Sequence, residues 1–346
     1  QLLIQETRKV VRALNNVVDI NNYSTEKGEK GGLEQRAIAI GTQGLADVFF
    51  LMDYVFTSDE AKKLNKEIFE TIYYGAVYES NNLCKTGEYQ PYKYFNGSPM
   101  SKGIFQFDMW GLTNENVSGL WDWDSLKEDV KTYGVCNSLT TAQMPVASSA
   151  KITGSFEMTE PAHSALFNRR VVGGEIMIVN KYLINDFEKM GIWNESVKHE
   201  IIMNEGSIQN INFNKFLDAE DKNYSKKVKR VEYLLKKYKT IWEISQRELI
   251  DMSADRAPFI DQSQSMNIYL ANPTVSKITT SHFHGWDKGL KTLCYYVRTK
   301  AISTGAKHLA VDVSQSNQPL PEIDYSKMNL PPRPDSSLVD CFGCSS

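Results

Sequence analysis

The chain has 346 residues, 41% hydrophobic and 23% charged, an ordinary globular composition with ample length for a large core. Its 42 acidic and 39 basic residues leave a net charge of −3, which gives no global attraction to nucleic acid or an anionic membrane, so any bound anion must be held locally. No stretch approaches the roughly 18 uninterrupted apolar residues of a membrane helix, and five scattered cysteines are poor material for a secreted disulfide framework, so the expectation is a cytoplasmic protein.

The chain opens inside an amphipathic pattern (Leu3, Val10, Val11, Leu14, Val17, Val18), with Gln rather than Met first and no signal-peptide grammar, and reads as a piece of a longer polypeptide. Ala37 to Ile40 predicts a buried strand, Gly41-Thr42-Gln43-Gly44 a tight turn, and Leu45 to Met52 a helix. The glycine pair lacks G-x-G-x-x-G and Gly-Lys-Ser/Thr, which favours a packing turn over a nucleotide loop. Ser58 to about Leu83 predicts a long helix with Asp59 and Glu60 in its first turn.

Asn137 to Met144 predicts a strand running into the small-residue loop Pro145 to Ala150. Such a loop exposes backbone N–H groups, and a helix N-terminus behind it adds partial positive charge; the combination suits a diphosphate, although a plain connection has the same pattern. Glu175 to Val179 predicts a strand, Tyr182 to Met190 a helix, Val231 to Met252 a helix, Met266 to Leu270 a strand, and Thr274 to Thr299 a mostly helical segment. Strands separated by helices imply parallel strands with crossover connections, hence an α/β sheet or barrel with its site at the strand C-terminal ends. Lys222 to Lys239 carries eight Lys and Arg, a pattern that favours a solvated helix face or surface insertion over a nucleic-acid patch. From Ser314 onward Ser, Gln, Asn, Asp and Pro dominate, predicting a flexible tail.

Three constellations remain. His282 and His284 stand at i, i+2, which does not place them on one helix face for a metal, so surface or capping roles are favoured. Tyr295 and Tyr296 place two phenols side by side; aromatic packing explains them on frequency alone, and stacked rings there require a departure from ideal helix geometry. Cys341-x-x-Cys344 admits zinc, redox or accident: zinc would have to recruit two further ligands, whereas redox chemistry has its near partner in place.

The stretches "IAIGTQGLAD" (38–47), "NKEIFETIYYGA" (65–76), "LWDWDSLKEDV" (120–130), "NSLTTAQMPVASSA" (137–150), "FNRRVVGGE" (167–175), "FIDQSQSMNI" (259–268), "HGWDKGLKTLCYYVRT" (284–299) and the terminal "CFGC" resemble the C-terminal part of the large, catalytic subunit of class I ribonucleotide reductase, in its eukaryotic and large-DNA-virus-like branch. The resemblance implies an α/β fold: the second half of a ten-stranded α/β barrel over residues 1–312, followed by a disordered tail over 313–346 that carries the C-x-x-C. It implies reduction of ribonucleoside diphosphates to deoxyribonucleotides for DNA synthesis. In that chemistry a thiyl radical abstracts the 3′-hydrogen and a cysteine pair supplies two electrons.

By the same resemblance Val146, Ala147, Ser148 and Ser149 cradle the substrate diphosphate. Tyr295 and Tyr296 relay the radical, and Cys341 and Cys344 shuttle electrons from thioredoxin or glutaredoxin. This chain itself would hold no cofactor and no metal; a metal-containing small subunit supplies the radical, while ATP and dNTP effectors bind an upstream part. The full large subunit would be a homo-oligomer. The radical cysteine, its neighbouring Asn and Glu, and the reducing pair would lie upstream of Gln1, leaving the isolated chain inactive and Cys84, Cys136 and Cys294 structural. Gln143 stands where the family commonly has Pro, Val146 and Ser149 replace family Thr residues, and 222–239 is an insertion. The rival reading is a non-enzymatic partner module that keeps the barrel half, and retention of both tyrosines and both tail thiols argues against it.

Overall fold

A computed structural model describes residues 1–171 and 174–300. Its first half is helical: α1 (Leu2–Ile20), α2 (Glu26–Gln35), α3 (Leu45–Leu51), α4 (Asp59–Lys85), α5 (Gln106–Met109), α6 (Trp123–Tyr133) and α7 (Ala147–Thr153). Then follow β1 (Leu166–Val171), β2 (Gly174–Val179), α8 (Lys181–Met190), α9 (Glu195–Met203), α10 (Tyr224–Lys237), α11 (Gln246–Arg256), β3 (Asn267–Tyr269), α12 (Val275–Asp287) and β4 (Tyr296–Arg298). Among the described residues no helix is long and apolar enough to cross a membrane.

Helix α4 is the central post. Ser58 Oγ accepts from Ala61 N–H at its start, and Asp59 and Glu60 oppose the positive end of the helix dipole. Its buried face meets α1 through Gly75, where a Cβ would lie 3.0 Å from the Ile4 side chain and 3.3 Å from that of Thr7, so any larger residue would have to push α1 side chains aside. Arg8 and Arg12 of α1 reach across to the fully buried Glu79 carboxylate at 2.5 and 2.6 Å. The main core gathers α3, α8, α9, α10 and α11 around Phe49, Leu183, Phe187, Ile201 and Leu234; a second, aromatic core sets Tyr73, Phe105, Phe107 and Trp123 between α4 and α6.

Parallel pairing is present and runs through the backbone: Ile38 and Ile40 N–H donate to Leu139 and Thr140 C=O, Ala142 N–H to Ile40 C=O, and Gln262 N–H to Thr141 C=O. Ile40 bridges Thr141, Gln143 bridges Gln264, and β3 pairs in parallel with β4, all in the parallel sense. Ser263 and Ser265 bond Gln143, whereas Met266 bonds Tyr295 and Leu270 bonds Arg298. Successive residues of an extended chain turn their backbone groups to opposite sides, so 262–269 lies between its two neighbours. The row runs 38–40, 140–143, 262–269, 295–298. The strands expected at 37–40 and 137–144 are therefore reduced to isolated bridges, for a visible reason. The Asp261 carboxylate takes the N–H groups of Thr140 and Thr141 at 2.7 and 2.9 Å, and the Gln143 amide takes Thr42 N–H and Thr42 C=O. Those two N–H groups are lost to a regular ladder, while the C=O groups of Thr140 and Thr141 still accept from Ile40 and Gln262 N–H.

Three further expectations are corrected. The strand at 174–179 is half of an antiparallel hairpin with β1. The helix expected over 231–252 breaks after Lys237, because Ile241 N–H donates to Ala162 C=O at 2.9 Å and the turn buries Tyr238, Ile241 and Ile244. The helical run expected to Thr299 stops at Asp287; Gly289, at φ +78, turns the chain back so that Leu293 packs where a Cβ on Gly285 would clash at 2.6 Å.

The basic stretch at 222–239 is more than a solvated face. Lys237 of α10 is buried and bonds Asp53 Oδ1 at 2.7 Å and Asp186 Oδ2 at 2.9 Å, while Arg230 clasps Asp53 at 2.7 and 2.9 Å. Lys237→Met should cost about 2 kcal/mol, because two partly solvated carboxylates lose a charged donor; urea unfolding of the variant reads the shift. Lys222, Lys226, Lys229 and Lys236 point away from that clasp along the exposed side.

Candidate active site

The carboxyl edge of the parallel row is where loops of an α/β protein collect. There the turn 41–44 and the start of α7 meet. Gly41 has no Cβ because one would collide with Met144 Sδ at 2.1 Å, and Gly44, at φ +80, sends its N–H to Phe156 C=O at 2.9 Å. Thus the glycine pair is a packing turn. Gln43 then holds α7 from the side, donating to Thr153 Oγ1 at 2.8 Å and accepting from Ser149 Oγ at 3.0 Å.

Val146 is the N-cap of α7 and supplies no side-chain cap, and its C=O accepts the first helical N–H, that of Ala150, at 2.9 Å. The N–H groups of Ala147, Ser148 and Ser149 precede that bond and belong to the open first turn. All three residues are exposed. Ser149 Oγ is already committed to Gln43 and to Val146 C=O, so backbone N–H groups, with Ser148, are what this turn offers an anion.

The tyrosine pair stands toward the same edge. Tyr295 N–H donates to Met266 C=O at 2.7 Å, two residues past Gln264, the partner of Gln143. Both residues lie at the start of the extended segment containing β4 rather than on a helix, which places neighbouring rings differently from the helical expectation. The ring centroids are 4.3 Å apart at 61°, an edge-to-face contact and not a stack. Both phenols are about half exposed, at 51% and 48%. A hydrogen bond with the Tyr296 phenol raises the Tyr295 pKa above its usual value, and the Arg298 guanidinium, 4.7 Å from the Tyr296 ring centre, opposes that rise.

Behind them lies a polar cluster that motif reading missed. Tyr269, which pairs with Arg298 across β3 and β4, donates to Glu160 Oε2 and shares a 2.9 Å hydrogen bond with His163 Nε2. Asn267 donates to Glu160 Oε1 at 2.7 Å. Burial, and then the Glu160 charge, push the Tyr269 pKa far above the usual phenol value. Glu160-Pro161 and the single His163 carried no spacing signal; only the fold joins them. Next to this cluster a cavity of about 230 Å³ opens between α7 and the hairpin, lined by Phe156, His163, Phe167 and Ile178, with Lys151 and Lys181 at its surface.

Residues 2–296 match the model of the ribonucleotide reductase barrel domain. The chain belongs to the ribonucleotide reductase family. A ribonucleoside-diphosphate reductase large chain from Neurospora crassa is 46% identical over 301 residues, covering 87% of this chain and 30% of that protein. The large subunit from Monkeypox virus is 48% identical over 295 residues, covering 85% of this chain and 35% of its own. The chain thus spans about a third of the length of these curated relatives. Among solved structures, an Actinobacillus ureae class Id ribonucleotide reductase alpha subunit superposes with a TM-score of 0.59 at 21% identity, covering 85% of this chain and 46% of that one, a likeness of fold. The described part is accordingly a piece of the reductase barrel, and its parallel row is open rather than closed.

Of the residues singled out in the sequence, Val146 to Ser149 and the tyrosine pair fall at one edge, whereas Cys341 and Cys344 lie outside the described residues. Gln143 joins the turn at Thr42 to the row. His284 Nε2 pairs with Asp251 Oδ1 at 2.8 Å and His282 Nδ1 meets Ile278 C=O at 2.9 Å, so the two rings serve different partners.

Proposed function

We infer that this chain is the portion of a ribonucleoside-diphosphate reductase large subunit that holds the substrate diphosphate and passes the radical, working with an upstream portion that supplies the radical cysteine. The observation that carries this reading is the open, uncapped first turn of α7 held by Gln43 at the same edge as two contacting phenols. In it, the N–H groups of Ala147, Ser148 and Ser149 face the diphosphate. Tyr296 and Tyr295 take a radical delivered by a metal-containing small subunit and pass it inward. A phenol is neutral at pH 7, and its radical sheds the proton, so electron and proton move together and the hydrogen bond between the two rings gives the proton its path. Cys341 and Cys344, in the segment 313–346, return electrons from a thioredoxin or glutaredoxin to the disulfide formed at each turnover. The full large subunit acts in the cytoplasm as a homo-oligomer, with ATP and dNTP effectors on its upstream part.

The test uses the full-length large subunit with its small subunit and a ribonucleoside diphosphate. Formation of the matching deoxyribonucleoside diphosphate is the expected result, and its absence in a correctly assembled complex overturns the reading. Ala147→Trp, which crowds the first turn, should raise the substrate dissociation constant about tenfold, the equivalent of about 1.4 kcal/mol. Equilibrium binding of the diphosphate measures it, and unchanged affinity removes the loop from the site.

A further inference from the structure

The cavity of about 230 Å³ between α7 and the β1–β2 hairpin lies at the far end of α7 from the turn at 146–149, against Lys151 and Gly154. Phe156, Phe167, Ile178 and Val179 give it an apolar lining. Its volume, below the roughly 300–1,000 Å³ of drug-sized sites, limits an occupant to about one fused ring system.

One polar group in the wall has its state fixed by its neighbours. Tyr269 has a single hydroxyl hydrogen, and that hydrogen goes to Glu160 Oε2. In the 2.9 Å contact between the Tyr269 oxygen and His163 Nε2 the imidazole is therefore the donor. In the neutral ring this makes Nδ1 the acceptor, and Nδ1 has no partner among the described residues. The His163 side chain is 42% exposed and forms part of the cavity wall. The fold thus fixes the ring through one nitrogen and leaves the other unused.

The charges around the cavity sort by depth. Lys151 and Lys181 are exposed, and neither pairs with a carboxylate among the described residues; Lys181 Nζ stands 5.1 Å from the centre of the Tyr182 ring. Three carboxylates also belong to the wall, Asp47, Glu157 and Glu160. Asp47 accepts from the Tyr182 hydroxyl and Phe156 N–H at 2.8 and 2.7 Å, and Glu160 accepts from Tyr269 and Asn267. Both are thus satisfied from within the protein, while Glu157 is partly exposed.

We propose that this cavity is a binding site for a small aromatic acid, whose ring N–H or hydroxyl donates to His163 Nδ1 and whose carboxylate meets Lys151 and Lys181. The ring leaves water for an apolar lining, its donor finds an acceptor already oriented, and the carboxylate stays at the surface beside two ammonium groups. The site is apart from the diphosphate turn and the tyrosine pair.

The experiment uses the full-length large subunit and two probes of similar shape and charge, indole-3-acetate, which has a ring N–H, and naphthalene-1-acetate, which has none. Ligand-observed NMR titration should give indole-3-acetate a dissociation constant of about 1 mM or tighter, as a ligand of this size in a fitted pocket allows. His163→Leu should weaken indole-3-acetate about tenfold and leave naphthalene-1-acetate within about twofold, since only the first loses a hydrogen bond. Lys151→Ala combined with Lys181→Ala should weaken both probes about tenfold, and Glu157→Gln should tighten both about twofold. Ile178→Trp, which fills the cavity, should abolish both. The proposal is overturned if neither probe binds at millimolar concentration, if His163→Leu weakens both equally, or if Ile178→Trp leaves binding unchanged.

Discussion

Tyr295→Phe and Tyr296→Phe should each reduce turnover of the assembled reductase to background while substrate affinity stays within about twofold, a difference of about 0.4 kcal/mol. Phenylalanine keeps the edge-to-face contact at 4.3 Å and most of the area in contact with Arg298. It removes the only group on the ring that can lose an electron and a proton together. A barrier raised by about 4 kcal/mol already costs about a thousandfold in rate, and replacing a phenol by a plain arene raises it further. Steady-state deoxynucleotide formation and diphosphate binding, measured on the same samples, separate the two effects. Normal turnover in both variants would return the pair to aromatic packing, the plain reading of the sequence.

Asp261→Ala should destabilise the fold by about 4 kcal/mol, since it orphans two buried backbone N–H groups at about 1–3 kcal/mol each and loses two hydroxyl donors besides. Those donors are Thr140 and Thr141, whose side chains lie 2.8 and 3.3 Å from the carboxylate and whose residues are almost fully buried. Asp261→Asn keeps one acceptor and should cost about 2 kcal/mol. The pH dependence has a definite sign. Burial raises the Asp261 pKa above the ordinary carboxylate value, against the lowering effect of the threonine hydrogen bonds and of Lys291. The folded state therefore holds this proton more tightly than the unfolded chain does. Its contribution is fully present below the ordinary carboxylate pKa and is lost as pH rises through the folded value. Urea midpoints measured across that range should fall with rising pH in the parent, and the Asp261→Asn variant should lack this component.

How much of this was legible depends on where each instruction resides. Helix α4 carries its start in Ser58, Asp59 and Glu60, and α8 in Asn180, whose Oδ1 accepts from Tyr182 and Leu183 N–H at 3.0 and 3.3 Å. Such signals lie within a few residues of what they control, and both helices were predicted from the sequence, the first with its acidic first turn. The break after Lys237 is set by Ala162, far away in the chain, so local apolar spacing predicted one helix where there are two. Gly289 was a legible stop signal in a segment read as helical throughout. The parallel pairing expected at 137–144 is present but reduced to isolated bridges for a different reason: the Asp261 and Gln143 side chains take some of the backbone groups that a regular ladder would use.

The sequence by itself determined the family, through long stretches such as "NSLTTAQMPVASSA" and "HGWDKGLKTLCYYVRT", and with it the positions of the loop and the tyrosines. It also determined that Tyr295 and Tyr296 are neighbours, since adjacency is covalent. Only the tertiary structure decided how they meet. Pairing of β4 with β3 puts them on extended backbone, edge to face beneath Arg298, where a helix would have splayed the rings. Likewise Tyr269, Glu160 and His163 carried no shared spacing signal, and they meet only because the fold brings β3 beside the segment at 160–163. Contacts between residues remote in the chain depend on packing that no local pattern encodes, and in this protein those contacts set the chemistry of side chains whose identities were plain from the start.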